Sequence, residues 1–180
     1  MIDQGILSRS QIIFTHEEIV RAIDLLAEKL NKQFKNKKVL ILPVLTGVIP
    51  FVGMLLTKLN FETEVSYLHV SRYQNNIGTN QIKITHQPNP EIVHSQEVLV
   101  VDDILDVGIT LKLINEQLIT MKPKSITNVV LFEKQLDIKK EISAHYVGLV
   151  VPDAYVYGFG LDFNGAGRNI PDLYSFKEQY

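Results

Sequence analysis

The sequence contains no cysteine and no run of apolar residues long enough to cross a membrane. Without cysteine the chain has neither a disulfide framework nor a thiolate for catalysis or metal binding. A membrane-spanning helix needs roughly 20 consecutive apolar residues, and no segment approaches that length. Residues 1–5 show no basic region leading into an apolar core, so no signal peptide is predicted. These absences favour a soluble protein of a reducing compartment, and we expect it in the cytoplasm.

The sequence also has no strong excess of either charge. Its formal net charge at pH 7 is -2, with 18 basic and 20 acidic residues. Nucleic-acid-binding proteins commonly carry a basic excess on one face, so the composition gives no general support for that class. The 180 residues are 46% hydrophobic and 21% charged, which is typical of a globular protein. No internal repeat, low-complexity tract or interdomain linker is present, so residues 1–180 are expected to form a single domain.

Segments whose apolar residues recur at helical spacing alternate along the chain with short apolar segments typical of strands. Thr15 and Glu18 form a capping-box pattern, and apolar residues follow at helical spacing to Leu30. Further helices are predicted over 48–59 and 110–121, and strands over 39–42, 63–73, 81–84, 98–101, 125–132 and 144–151. Strands that alternate with helices predict a doubly wound α/β sheet. The polar segment 74–90 is long for a connection, which is typical of a mobile active-site lid or a disordered segment.

Residues 98–110 form the most informative segment. Four apolar residues run into the adjacent carboxylates Asp102 and Asp103, and Asp106, Gly108 and Thr110 follow. A continuous apolar run of this kind is typical of a buried strand in a parallel sheet. Ligands of such sheets bind beyond the carboxyl ends of the strands. A helix that begins near Thr110 would direct backbone N–H groups at an anion such as phosphate.

Two plainer interpretations of this segment stay open at this point. One is a strand-to-helix turn whose carboxylates are simply solvated. The other is a receiver domain of the response-regulator kind, which also carries an acidic pair at a strand end. That pair normally follows the first strand, whereas Asp102 and Asp103 lie past the middle of the chain with Gly108 and Thr110 behind them. The position therefore disfavours the receiver interpretation.

A second motif lies near the C-terminus, after Phe132-Glu133-Lys134. Its elements are, in order, Pro152-Asp153, Tyr155-Val156, Gly158, Leu161-Asp162, Phe163-Asn164 and Arg168. The two motifs together resemble the hypoxanthine-guanine group of the type I phosphoribosyltransferases, over about residues 39–171. In that family the segment 98–110 is the phosphoribosyl-pyrophosphate signature, although Val107 stands where Thr or Ser is commoner. The resemblance implies an α/β fold with a central, mainly parallel sheet flanked by helices, and a small hood over the purine site.

The resemblance also implies a role for each matching residue. Asp106 would be the catalytic group, acting as general acid and base toward purine N7. Asp102 and Asp103 would hold the ribose hydroxyls, and their charge would favour an oxocarbenium-like ribose carbon. The residues expected to bind phosphoribosyl pyrophosphate are Thr46, Gly47, Arg72, Tyr73, Asp102, Asp103, Asp106, Val107, Gly108, Ile109, Thr110 and Arg168.

Besides Val107, two of these positions depart from the family's commoner pattern. The loop around Gly47 would bind pyrophosphate through its backbone, in many members through a cis peptide, and Thr46 stands where some members have Lys. Arg72 interrupts the commoner Ser-Ser-Tyr sequence at the opening of the lid, and it would supply a phosphate contact. Backbone donors survive the change at Thr46, but a cation is lost there.

The purine site is expected to contain Lys134, Tyr155, Val156 and Asp162. Lys134 would donate to the oxygen on purine C6, because an ammonium group has donors and no acceptor and so favours a 6-oxo over a 6-amino purine. Tyr155 would stack on the base, and Val156 would offer backbone groups to its edge. Asp162, with Asp102 and Asp103, would bind Mg²⁺ together with the pyrophosphate.

The implied reaction is the magnesium-dependent transfer of the phosphoribosyl group from phosphoribosyl pyrophosphate to hypoxanthine or guanine, in purine salvage. Hypoxanthine is the first choice and guanine the second, xanthine shares the 6-oxo group, and adenine is disfavoured. The alternative from another class is a regulator that keeps this fold and binds nucleotide or RNA. Such a protein needs a basic face or an added DNA-binding domain, and the sequence shows neither. Family members are commonly dimers or tetramers, so a homodimer or homotetramer is expected, with no nucleic-acid or membrane partner.

Overall fold

The computed structural model of the chain describes residues 4–74 and 80–177. The strands are β1 (Ser10–Phe14), β2 (Lys38–Leu45), β3 (Glu62–Val65), β4 (Leu68–Gln74), β5 (Asn80–His86), β6 (Glu97–Leu105), β7 (Ser125–Lys134), β8 (Tyr146–Val151), β9 (Val156–Tyr157) and β10 (Leu173–Phe176). The helices are α1 (Gln4–Ser8), α2 (His16–Gln33), α3 (Ile49–Leu56), α4 (Pro90–Val93) and α5 (Ile109–Thr120). None of these helices is long and apolar enough to cross a membrane.

The central sheet is mainly parallel. Its strands lie in the order β5-β4-β2-β6-β7-β8, and β3 pairs with β2 as well. The pairs from β2 through β6 and β7 to β8 are all parallel, and β3 and β4 also run parallel to β2. The β4–β5 pair is antiparallel. Parallel neighbours need a crossover connection, which α3 and α5 provide. The fold class expected from the sequence is therefore confirmed.

Both faces of the sheet are covered, which explains why β2 and β6 are apolar at consecutive positions. Ile41 of β2 packs in one buried cluster with Leu26 of α2 and Phe51 of α3. Its neighbour Leu42 packs in a second cluster with Ile114 of α5. Successive side chains of a strand point to opposite faces, so a strand buried on both faces reads as a continuous apolar run. The carboxyl ends of these strands are thereby fixed between two helical layers.

Several predicted elements are refined by the structure. The capping box is confirmed, since the Thr15 hydroxyl accepts from the Glu18 amide and the Glu18 carboxylate accepts from the Thr15 amide. The single strand predicted over 63–73 is two strands, because β3 pairs with the first half of β2 and β4 pairs with its end. The expected strand over 81–84 is part of β5, which leaves only residues 75–79 of the expected lid outside the described residues.

A second sheet of three short strands was not placed by the sequence patterns. It has the order β1-β10-β9 and is antiparallel throughout. The buried hydroxyl of Tyr157 donates to the Ser10 hydroxyl at 2.8 Å, which joins residues 147 positions apart. Strands of two to five residues are too short for a hydrophobic period to show. This sheet carries Val156 of β9, one of the expected purine-site residues.

Glu97 anchors the opposite end of the central sheet. It accepts a hydrogen bond from the Ser125 hydroxyl, and its Oε1 lies 3.2 Å from Lys37 Nζ and 3.0 Å from Lys124 Nζ. The Ser125 hydrogen bond, followed by the two lysines, lowers the pKa of Glu97 to about 2 against the opposing effect of burial. Because the pKa of Glu97 is lower in the folded protein than its ordinary value of 4.5, the ionised carboxylate stabilises the fold at pH values above 4.5. This stabilisation is lost as the pH falls toward 2.

The substitution Glu97→Gln is expected to lower the free energy of unfolding at pH 7 by about 2 kcal/mol, because it leaves two lysines beside a neutral amide. Urea denaturation measured between pH 7 and pH 2 tests this, and the difference from the wild type should shrink below about pH 4.5. Glu28→Gln, at an exposed position of α2, is the control and should leave stability unchanged at every pH. Equal stability of Glu97→Gln and wild type at pH 7 would contradict the assignment.

Candidate active site

The three signature carboxylates lie at the carboxyl end of β6, as expected. The Asp103 amide donates to Asp102 Oδ1 at 3.0 Å, and the Ile104 amide donates to Asp103 Oδ1 at 2.7 Å. These local hydrogen bonds fix the direction of both side chains. Asp102 is 8% exposed, and Asp106 is half-buried directly after the strand. Three acidic residues therefore lie at, or directly after, the carboxyl end of β6.

The turn after Asp106 leads straight into α5. Gly108 has a φ of 93° and is the residue that precedes the first helical residue of α5. A β-carbon there would also lie 3.2 Å from the Ile142 amide nitrogen, so the turn requires glycine for both its conformation and its close packing. The Val107 carbonyl accepts from the Glu141 amide at 2.9 Å, which braces the turn from outside. The expected phosphate-binding residues Val107, Gly108, Ile109 and Thr110 thus lie at a helix N-terminus, whose first N–H groups have no partner within the helix.

A second loop, which follows β2, packs against the carboxylate cluster. The peptide bond between Leu45 and Thr46 is cis, in the loop where the resemblance implies a cis peptide for many family members. Thr46 is exposed and Gly47 is buried. A β-carbon on Gly47 would fall 1.7 Å from Asp103 Oδ2 and 3.2 Å from Arg168 Nη1. A β-carbon at this position would therefore force the loop or the Asp103 carboxylate to move.

A third loop, which follows β9, closes the same region. Arg168 donates from Nη2 to Asp162 Oδ1 at 2.6 Å and from Nη1 to the Gly160 carbonyl at 2.7 Å. The other carboxylate oxygen of Asp162 accepts from the Gly165 amide at 2.8 Å. A β-carbon on Gly160, whose φ is 95°, would fall 1.9 Å from the Gly47 carbonyl oxygen. The loops after β2, β6 and β9 therefore meet at one place.

Asp103 is the carboxylate on which these loops converge. Burial raises its pKa to about 6, against the opposing effects of the Ile104 amide hydrogen bond and the charge of Arg168. Removal of a carboxylate from water favours its neutral form unless a cation compensates. A cation placed beside Asp103 would stabilise its ionised form and lower its pKa.

The expected purine-reading lysine lies next to the expected acid–base group. Lys134 is the last residue of β7, and its Nζ lies 3.4 Å from Asp106 Oδ2. The Lys134 side chain is 17% exposed and that of Asp106 is 38% exposed. Because β6 and β7 are parallel neighbours, the ends of both strands lie at the same edge of the sheet.

Tyr155 and Val156 occupy the approach to β9. Tyr155 is 53% exposed, donates its hydroxyl to the Asp162 carbonyl at 2.9 Å, and meets Phe163 edge to face at a centroid distance of 5.7 Å. Burial, and then the charge of Asp162, raise the pKa of Tyr155, so its hydroxyl is protonated at neutral pH. Val156 is buried and pairs with Ser175 of β10. The structure thus places an accessible aromatic ring and a fixed backbone segment beside Asp162.

Two expected ligands of phosphoribosyl pyrophosphate are only partly described. The backbones of Arg72 and Tyr73 belong to β4, which pairs with β2 and β5. Their side chains lie outside the described residues. Their expected phosphate contacts stay predictions.

The three carboxylates expected to bind a metal, Asp102, Asp103 and Asp162, supply oxygen donors of the kind that Mg²⁺ prefers. Within residues 4–74 and 80–177, no three His, Cys, Asp or Glu side chains converge closely enough to hold a metal ion by themselves. Mg²⁺ prefers oxygen ligands, keeps several waters, and is commonly held by one or two carboxylates together with substrate phosphates. Asp162, held by Arg168 and a backbone amide, and the pair Asp102 and Asp103 supply donors of this kind. The residues therefore fit an ion that a phosphate ligand helps to hold.

Some residues that shape the site carried no assignment from the sequence. Gly160 matters because of its approach to Gly47, and its position two residues after Gly158 was a local signal that pointed to a tight loop. Glu141 and Ile142 brace the phosphate-side turn from the connection between β7 and β8. Nothing in their local sequence marks them, because their contacts are made across the fold.

Comparison with known proteins gives a consistent answer. A sequence model described as the phosphoribosyl transferase domain matches residues 10–164. The chain is 32% identical over 162 residues to the hypoxanthine-guanine phosphoribosyltransferase of Bacillus subtilis (strain 168), with 89% of each chain covered. A solved hypoxanthine phosphoribosyltransferase from Staphylococcus aureus is similar with a TM-score of 0.86 and 28% identity, over 98% of this chain and 97% of that one. The hypoxanthine phosphoribosyltransferase of Trypanosoma cruzi, solved with the product IMP, has a TM-score of 0.82 and 26% identity, over 92% of this chain and 93% of that one.

The substitution Gly47→Ala is expected to weaken the binding of phosphoribosyl pyrophosphate by about tenfold or more, because the added methyl group displaces the loop from Asp103. Isothermal titration with Mg²⁺ present measures the effect. Gly53→Ala is the control, since a β-carbon there meets nothing within 4 Å. That helical substitution should preserve binding and add about 0.5–1 kcal/mol of stability. Binding by Gly47→Ala within a factor of about two of wild type would refute the role of this close approach.

Proposed function

Because this chain belongs to the phosphoribosyltransferase family, and to its hypoxanthine-guanine group, we propose that it transfers a phosphoribosyl group to hypoxanthine and guanine. The donor is phosphoribosyl pyrophosphate, and the products are IMP or GMP and pyrophosphate. The complex of the Trypanosoma cruzi relative with IMP supports a purine nucleotide as product. Hypoxanthine is the preferred base in this proposal and guanine the second.

The observation that carries the proposal is the Lys134–Asp106 pair. A 6-oxo purine presents O6 and N7 side by side on one edge, as it does to proteins that read guanine. The ammonium of Lys134 and the carboxylate of Asp106, 3.4 Å apart, match these two atoms. Lys134 would donate to O6, and Asp106 would accept a proton from N7. A 6-amino purine would turn a donor toward Lys134, so adenine is disfavoured.

The remaining residues would hold the donor for the transfer. The backbone amides between Asp106 and Thr110, with the Thr110 hydroxyl, would bind the 5-phosphate. Asp102 and Asp103 would hold the ribose hydroxyls, and their charge would stabilise the positive ribose carbon. As N9 of the purine bonds to that carbon, the bond to pyrophosphate breaks and Asp106 takes the N7 proton. Asp162, with Asp102 and Asp103, would hold Mg²⁺, which neutralises the leaving pyrophosphate when bound.

The loops after β2 and β9 would bind the leaving group. The backbone of Gly47 faces Asp103 and Arg168, so the loop after β2 can direct amides at pyrophosphate beside an arginine. Arg168 offers a planar guanidinium that suits a phosphate oxygen, and it is already held by Asp162. Arg72 and Tyr73 would cover the donor as part of a lid, which excludes water from the ribose cation. In this proposal residues 1–180 form one catalytic domain, assembled as a homodimer or homotetramer.

The substrate assignment is tested by pyrophosphate release from phosphoribosyl pyrophosphate with Mg²⁺. Hypoxanthine, guanine, xanthine and adenine are offered separately. We expect turnover with hypoxanthine and guanine and at least about 100-fold lower kcat/KM with adenine, because an unpaired donor would face Lys134. Comparable turnover of adenine would refute the reading of O6 by Lys134. Absence of turnover with every base, in folded protein that binds phosphoribosyl pyrophosphate, would indicate a binding or regulatory protein instead.

The substitution Asp106→Asn is expected to lower kcat by about 100-fold or more, because an amide cannot accept the N7 proton. The dissociation constant of phosphoribosyl pyrophosphate should stay within a factor of about two, since the backbone of the turn is retained. Steady-state kinetics and titration give the two values. Asp137→Asn, at an exposed position, is the matched control and should behave as wild type. Unchanged kcat in Asp106→Asn would exclude Asp106 as the general base.

A further inference from the structure

The connection between β7 and β8, residues 135–145, contacts both sides of the proposed site. At one end the Gln135 amide donates to the Val151 carbonyl at 2.8 Å. Further along, the Glu141 amide donates to the Val107 carbonyl at 2.9 Å, beside the phosphate-side turn. Between these two contacts lies Lys140, whose side chain turns back toward the end of β7. The connection therefore links the end of β7, where Lys134 lies, to the turn after Asp106.

The ammonium group of Lys140 is hydrogen-bonded and ion-paired within the protein. Its Nζ donates to the Lys134 carbonyl at 2.5 Å and lies 3.0 Å from Glu133 Oε1. The Lys140 side chain is 15% exposed, whereas its neighbour Lys139 is exposed. Withdrawing an ammonium group from water is costly unless it is paired and hydrogen-bonded, and both partners here belong to the last two residues of β7. The position of Lys140 is thus tied to the end of that strand.

The charges at this strand end are divided into two separate pairs. Glu133 pairs with Lys140 at 3.0 Å, and Asp106 pairs with Lys134 at 3.4 Å. Without Lys140, the half-buried carboxylate of Glu133 would lose the cation that lies 3.0 Å from it. The Lys134 backbone would also lose the hydrogen bond to its carbonyl. Both effects would move the Lys134 ammonium away from Asp106.

We propose that Lys140 is a positioning residue for purine binding. It fixes the Lys134 backbone and neutralises Glu133, so that the ammonium of Lys134 stays where it meets the purine C6 oxygen. This inference rests on the proposed function, in which Lys134 reads that oxygen. Lys140 itself contacts neither substrate, so its effect is carried entirely through Lys134. Binding of phosphoribosyl pyrophosphate does not depend on Lys140, because its contacts are to β7 and not to the turn after Asp106.

The kinetic test compares Lys140→Gln, Lys140→Arg and the matched control Lys139→Gln. In Lys140→Gln we expect the KM for hypoxanthine to rise about tenfold, while kcat and the KM for phosphoribosyl pyrophosphate change less than about threefold. Lys140→Arg should restore the KM to within about threefold, because a guanidinium can donate to the same carbonyl and pair with the same carboxylate. Lys139→Gln should match wild type. An unchanged hypoxanthine KM in folded Lys140→Gln would overturn the inference.

A second measurement does not depend on turnover. Hydrogen exchange followed by mass spectrometry, in free protein, should be faster over residues 133–136 in Lys140→Gln than in wild type or Lys139→Gln. Faster exchange with an unchanged hypoxanthine KM would leave Lys140 a purely structural role and would also overturn the inference. If wild type turns over no purine, the proposed function fails by itself. Titration with IMP then measures the purine site directly, and equal IMP affinity in Lys140→Gln and wild type would overturn the positioning role.

Discussion

The close approach of the Gly47 backbone to the Asp103 carboxylate is the contact on which the rest of the site depends. A β-carbon at Gly47 would overlap Asp103, and one at Gly160 would overlap the Gly47 carbonyl. The loop after β2 therefore lies directly against the Asp103 carboxylate of β6 and against the backbone of the loop after β9. This packing brings Arg168 and Asp162 to the end of β6, where the sheet has already fixed Asp102 and Asp103. These close backbone approaches and the Arg168–Asp162 ion pair together set the geometry at this edge of the sheet.

The charges of the site are arranged for a highly anionic ligand. Asp162 is paired with Arg168, and Asp106 with Lys134, so these carboxylates are already partly neutralised. Asp103 has no such direct pair, and burial raises its pKa to about 6. A phosphate ligand brought alone would add negative charge to this region, whereas a phosphate ligand brought with a divalent cation would compensate it. The raised pKa of Asp103 and the carboxylate donors are both compatible with a cation bound at this site.

The sequence predicted the central sheet and the residues along its edge because both depend on local patterns. The apolar run before Asp102 indicated a strand buried on both faces, and the acidic residues after it indicated a ligand site at its carboxyl end. The three-stranded sheet was not predicted because β9 and β10 are too short to show a hydrophobic period. Two further features were not predicted, for a different reason: the contacts of Glu141 and Ile142 with the turn after Asp106, and the pairing of Lys140 with Glu133. They join a connection without regular structure to distant strands, and no spacing in the sequence encodes such a contact.

The order of the strands in the small sheet has a consequence for the making of the protein on the ribosome. β10 lies between β1 and β9, yet it is the last of the three to be synthesised. A nascent chain that has reached residue 172 already contains the whole central sheet and every carboxylate of the site, but β1 and β9 then have no strand to join them. Val156 and the ring of Tyr157 would lack their neighbours in β10. The carboxyl edge of the central sheet can therefore take shape while translation continues, whereas the small sheet forms only after β10 has been made.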